Sequence, residues 1–396
     1  MKKDQFTRQT VDLLSRLVAC PSVNPNRRMP ESEPYGEARM ADLLAQELQS
    51  MGAEVQLQEV LPGRPNVIGF FRGSGNAPSL MLEAHSDTVS IEGMTIPPFE
   101  PGFDGQRIWG RGSCDTKGPM ASMLMGIRLV LEQAGQPPGD IYFVSTVDEE
   151  MGAEGAQALV NGGFRADRAI IGEPTRLAFV HAHKGALRWK IRTSGKAGHS
   201  SQPSQGINAI YKMAPIIHLI EGSLVPQLAE NVHPQLGPAT ISIGTISGGN
   251  AVNIIPDACE IEVDRRVLPG EDRESLTQQI RSAINDLHLR GKVDKFEIEE
   301  TNWFPPFEIG LDSPLLKELA IASAACGLPP ELETAPWASN AGVFQSAGIP
   351  CVVFGPGSIE QAHKEVEYIE IIQVFRAAKI LATLILGDQV VEIDFP

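Results

Sequence analysis

The chain opens with apolar residues at helical spacing. Val11, Leu14, Leu17 and Val18 predict a helix from Phe6 to Cys20, which Pro21 ends. A polar, Pro-rich loop is expected up to Pro34. A second amphipathic helix follows, Ala38 to Met51, closed by Gly52. Two-residue alternation predicts a strand from Glu54 to Glu59, and a short apolar run predicts another at Asn66–Phe71. The stretch Ser79 to Val89 begins apolar and ends in His85-Ser86-Asp87, whose first and last residues would face the same way on a strand. Beyond a loop rich in Gly and Pro, an Ala- and Met-rich helix spans Pro119 to Glu132. Strands at Asp140–Val147 and Arg168–Ile171 flank a helix at Ala153–Asn161. This alternation predicts an α/β layer, a mostly parallel sheet flanked by helices.

The pattern changes near His183. Strands are expected at Leu187–Thr193, Ala239–Ile246, Cys259–Val267 and Lys295–Glu300, with helices at Asn208–Glu221 and Arg273–Leu289. The order β-α-β-β-α-β is that of a ferredoxin-like α+β unit. A helix at Leu315–Cys326, a strand at Pro350–Phe354 and a helix at Ile369–Leu386 return to the first layer. The predicted division is therefore one domain made of 1–181 and 301–396, with a second, 182–300, inserted in it.

Composition narrows the class. The 396 residues are 42% hydrophobic and 21% charged, with a net charge of −16. That length suggests two cores, and that charge argues against nucleic acid and anionic membranes as partners. The five cysteines are odd in number and far apart, as free thiols in a reducing compartment would be. No apolar run nears the ~20 residues of a membrane span. No apolar segment of a secretion signal follows Lys2 and Lys3. The expected location is the cytoplasm.

His85, Asp115, Glu149, Glu150 and Glu173 all fall in predicted loops or at strand ends. In open α/β sheets, sites form beyond the carboxyl ends of strands. Singly, each residue has an ordinary explanation: acidic residues at a helix start, a structural histidine, a plain turn. Together with His363 they form a set suited to two divalent metals bridged by one carboxylate, a pair ~3.5–4 Å apart. Mixed nitrogen and oxygen donors suit zinc, with cobalt or manganese as alternatives. Of the adjacent Glu149 and Glu150, one can bind metal while the other acts as base. No G-x-S-x-G occurs, and Gly112 to Gly118 lacks the order of a phosphate-binding loop.

The segments His85-Ser86-Asp87-Thr88-Val89, Gly110 to Gly118, Asp148-Glu149-Glu150-Met151-Gly152, Gly172-Glu173-Pro174-Thr175, Gly355-Pro356-Gly357, Ala362-His363-Lys364 and Glu367-Tyr368-Ile369 resemble the M20 metallopeptidase family in the family's order. That family includes amino-acid deacylases and carboxypeptidases. The resemblance implies that His85 and Glu173 hold one ion and Glu150 and His363 the other, with Asp115 bridging them. Glu149 would be the general base and later acid. Asp87 would hydrogen-bond His85 and fix its tautomer. The peptide Asp115–Thr116 would be cis. Glu173 is similar to the deacylase branch, where carboxypeptidase-type relatives often carry Asp.

The inserted domain resembles the family's lid and dimerisation domain. His199 would reach the partner subunit's site and stabilise the oxyanion. Asn253 and Arg266 would bind the substrate carboxylate, with Gly355 at the same pocket. Asn340 stands where relatives often carry Asp, and is expected to tune which side chain the pocket accepts. The implied activity is hydrolysis of the amide of a small N-acyl amino acid by a homodimer. A dipeptidase or carboxypeptidase of the same family is the alternative, and a non-catalytic metal-dependent binding protein a further one.

Overall fold

A computed structural model describes residues 3–26 and 33–387. Residues 27–32 of the loop expected before Pro34 lie outside the described residues. The chain forms two compact units: Met1–His181 with Glu308–Glu333 and Ser339–Pro396, and Ala182–Phe307 with Thr334–Ala338.

In the first unit a mixed sheet runs in the order Glu54–Leu61, Arg64–Phe71, Ile141–Thr146, Leu80–His85, Arg168–Ile171, Cys351–Val353, Phe179–His183, Phe307–Glu308. Only its centre is parallel: Leu80–His85 lies between Ile141–Thr146 and Arg168–Ile171, and Cys351–Val353 follows. Glu54–Leu61 with Arg64–Phe71, Arg64–Phe71 with Ile141–Thr146, and Cys351–Val353 with Phe179–His183 are antiparallel. The expectation of a mostly parallel sheet thus holds for the centre alone. Pro62-Gly63 is too short a link for a crossover, so the strands on either side must fold back on each other. The central strand Leu80–His85 is buried along its whole length, as a strand covered on both faces must be.

The covering helices follow from composition. In Lys117–Ala134, Met120, Met123, Leu124, Met125 and Ile127 are all inaccessible, and Ile371–Leu386 is buried on nearly every side. A helix apolar all round belongs inside a core. Gly126 lets two helices approach closely, since a Cβ there would lie 3.1 Å from the Ala378 carbonyl.

The second unit is built as expected, with Gly185–Ser194, Thr240–Gly248, Ala258–Val267 and Lys295–Phe304 in one antiparallel sheet. The spatial order, second-third-first-fourth, is that of the ferredoxin-like motif. Leu187, Trp189 and Ile191 point to a core shared with Met213, Ile216, Ile280 and Ile284 of its two main helices. The alternate positions carry charge. Arg188, Lys190 and Arg192 stand directly opposite Asp264, Glu262 and Glu260, so unlike charges face each other across the pairing.

Candidate metal centre

The parallel strands deliver their chemistry at one end. His85 closes Leu80–His85, Glu149 and Glu150 follow Ile141–Thr146, and Glu173 follows Arg168–Ile171. Asp115 sits in the turn entering Lys117–Ala134, after which Thr116 follows through a cis peptide. His363 comes from the far end of the chain, in a loop where its backbone is left-handed (φ 61°), a conformation uncommon without glycine.

Two candidate ligand sets form and share Asp115. His85, Asp115 and Glu173 make one; Asp115, Glu150 and His363 make the other, with ligand atoms in each set within 4.8 Å of one another. His85 Nε2 lies 3.0 Å from Asp115 Oδ1. His363 Nε2 lies 3.2 Å from Asp115 Oδ2 and 3.1 Å from Glu150 Oε2. The carboxylate of Glu149 belongs to neither set.

The electrostatics of the cluster call for cations. Burial pushes Glu149 and Glu173 well above the ordinary carboxylate range, and neighbouring carboxylates push them further. Hydrogen bonds to Asp115 and Glu150 lift His363 to about 10. Burial would raise Asp115, but the imidazoles of His363 and His85 hold it below its usual range. Glu150 Oε1 is buried with no hydrogen-bond partner, an expensive arrangement unless something else binds it. A set of nitrogen and carboxylate donors with an unfilled oxygen fits divalent ions.

The role of Asp87 differs from the expected one. His85 Nδ1 donates to the Asp87 backbone carbonyl at 2.9 Å, while the Asp87 carboxylate is 3.6 Å away, an ion-pair neighbour. The carboxylate instead accepts the amides of Glu149 (3.0 Å) and Glu150 (3.1 Å) and the Asn24 side chain (2.8 Å). Asp87 thus still fixes the His85 tautomer, through its carbonyl, while its side chain holds the turn carrying Glu149 and Glu150. The strand ends at His85, so the two-residue alternation no longer governs where Asp87 points.

Asn340 is likewise placed differently. It is 1% exposed, and its amide donates to Glu83 (2.9 Å) and to Thr146 Oγ1 (3.0 Å). These contacts tie its amide nitrogen to Glu83, two residues before His85. Gly355 is also buried, and its amide donates to Thr175 Oγ1 at 3.1 Å. In the second unit, His199 pairs in register with Ile254, and Ser200 donates its amide to the Asn253 carbonyl at 3.0 Å, so those two segments meet. His199 is exposed, with Nδ1 2.7 Å from Ser201 Oγ. Arg266 is part-buried and pairs with Asp264 at 2.8 Å.

Some supporting residues were not singled out from the sequence. Arg64, 2% exposed, links Glu37 (2.6 Å) to Asp148 (2.9 Å), and Asn24 joins Asp148 (3.1 Å) to Asp87. The available signal was a charge within an otherwise apolar stretch, as at Arg64 and again at Glu83.

A mixed α/β sheet that brings His85, Glu150 and Glu173 from its strand ends together with Asp115 and His363 from loops, and leaves Glu149 outside both sets, has the donor arrangement of a metal-dependent hydrolase. Residues 81–387 match the family model described as Peptidase family M20/M25/M40, and the chain belongs to that family. It is 32% identical over 342 residues to an acetylornithine deacetylase of Aliivibrio salmonicida, covering 84% of this chain and 87% of that one. Two solved structures share the fold. One is an M20 family metallo-carboxypeptidase from Sulfolobus solfataricus (18% identity, TM-score 0.79, 96% of this chain and 99% of that one). The other is a dinuclear metal-binding M20 peptidase from Bacillus subtilis (19%, TM-score 0.69, 97% and 98%). Among the described residues no helix is long and apolar enough to cross a membrane.

Proposed function

We propose that the protein is a dinuclear metal-dependent amidohydrolase that cleaves a small N-acyl amino acid. The observation that carries this reading is the pair of ligand sets sharing Asp115, with Glu149 beside them but in neither. His85 and Glu173 hold one ion, Glu150 and His363 the other, with zinc first and cobalt or manganese as alternatives. When bound, the ions polarise the scissile carbonyl and acidify a water between them. Glu149 takes the proton of that water and returns it to the departing amine nitrogen. Asp87 holds Glu149 and Glu150 in place through their amides. The acetylornithine deacetylases among the relatives, together with Glu173 rather than Asp, favour an acyl group on an amino acid over a peptide.

The domain 182–300 serves in this reading as lid and dimerisation surface of a cytoplasmic homodimer. Arg266 and Asn253 take the substrate carboxylate, and His199 stabilises the oxyanion in the partner subunit's site. His199→Ala is then expected to lower kcat by about 10²–10³-fold, the usual effect of losing one oxyanion donor. A heterodimer of His199→Ala and Glu149→Ala chains should regain activity at one of its two sites. A heterodimer as inactive as either parent would remove His199 from the partner's site.

The substrate class is tested with N-acetyl amino acids against dipeptides, each with and without a chelator. Chelator-sensitive hydrolysis of the N-acetyl compounds supports the proposal. Preference for dipeptides would make the protein an exopeptidase, and hydrolysis of neither would leave a metal-dependent binding protein.

A further inference from the structure

We infer that Glu367 is a positioning residue for the metal centre: it fixes Asp115, and with it the ion shared by Glu150 and His363. The inference rests on the dinuclear reading above. Glu367 is 1% exposed. Its Oε1 accepts the amides of Cys114 (3.0 Å) and Asp115 (3.1 Å). Its Oε2 accepts the amide of Gly112 (3.1 Å) and Arg111 Nη1 (2.7 Å). Its own carbonyl accepts the amide of Gly110 at 3.0 Å. The next residues extend the link, since Tyr368 and Ile369 pair with Trp109 and Ile108.

One carboxylate therefore clamps the backbone of the Asp115 turn to the segment that begins at His363. Hydrogen bonds from several donors to one ionised group are strong and geometrically specific. Their effect on the two ligand sets is unequal. Glu150, Asp115 and His363 form one set, and two of these three depend on the clamp. In the other set only Asp115 does, because His85 and Glu173 are carried by strands of the central sheet. Losing the clamp should weaken one ion more than the other. Glu367 touches backbone amides and Arg111, so it acts through Asp115 and His363 rather than on substrate.

The test is a zinc titration of metal-free protein that resolves two binding steps, with the unfolding midpoint recorded for each variant. Glu367→Met is expected to weaken one step by about 10–100-fold, the usual cost of losing a group that orients a ligand. The other step should weaken distinctly less. Because Glu367→Met strands the Arg111 guanidinium, the Glu367→Met/Arg111→Met variant is measured beside it. That pair removes the stranded charge and stands in for the single variant if the latter does not fold. Weakening of one step that persists in the double variant supports the inference. Unchanged binding, equal weakening of both steps, or recovery in the double variant overturns it. Asp115→Ala is the control for the underlying reading. If it keeps both steps, the dinuclear centre itself is wrong; if it loses them while Glu367→Met does not, only the clamp is.

Discussion

Glu149→Ala is expected to lower kcat by about 10²–10⁴-fold, the range for losing a general acid–base group, with metal content unchanged. The two halves of that expectation come from different features. Glu149 lies outside both ligand sets, so truncating it removes no ligand. Its amide donates to Asp87 Oδ1 at 3.0 Å, a contact that alanine keeps, so the turn presenting Glu150 to His363 stays put. The catalytic half rests on placement: Glu149 is a carboxylate of the cluster that lies outside both sets and so is left to accept a proton and return it. In the metal-free cluster, burial and the carboxylates of Glu150, Asp87 and Asp115 raise it well above the usual carboxylate range. Steady-state kinetics and metal analysis on the same preparation decide the matter. Turnover near that of the unsubstituted protein would remove Glu149 as the base. Metal loss in step with activity would make it a ligand.

The members of the two candidate ligand sets were legible in the sequence because their positions follow from strand ends and from a resemblance carried by short local motifs. His85, Glu150 and Glu173 each sit within a few residues of a strand that apolar runs announce. Roles that depend on where a side chain points were not. Asp87 was expected to reach His85 with its carboxylate, yet it spends that carboxylate on two amides from another strand's turn. The partners of the Asn340 amide, Glu83 and Thr146, lie far from it in sequence. The clamp by Glu367 joins positions more than 250 residues apart, which no local periodicity encodes. The direction of the first two strands is hidden for a related reason: alternation predicts strands, whereas the hairpin at Pro62-Gly63 decides their direction.

Stripping the ions is expected to abolish hydrolysis, and also to make stability fall as pH rises from about 5 to 8. In the metal-free cluster Glu149, Glu150 and Glu173 are raised above the usual carboxylate range, first by burial and then by one another and Asp115. The folded chain keeps protons there that the unfolded chain releases near pH ~4.3. His85 and His363 are raised as well, the latter to about 10, so they too hold protons that the unfolded chain gives up near pH ~6.5. Groups raised in the folded state stabilise it fully at low pH and lose that contribution as pH passes through their folded values. Asp115, held low, works the other way, but its contribution is lost only in acid, below this window. Divalent ions replace the protons of the ligand groups among these, Glu150, Glu173, His85 and His363, so the loaded protein escapes most of the loss and ion binding releases protons. The gap between the unfolding midpoints with added zinc and with chelator should therefore widen from pH 5.5 to pH 7.5, and readdition of zinc should restore hydrolysis. A gap that stays constant or narrows would mean that the ions do not compete with protons for Glu150, Glu173, His85 and His363, and the shared-Asp115 centre could not stand as described.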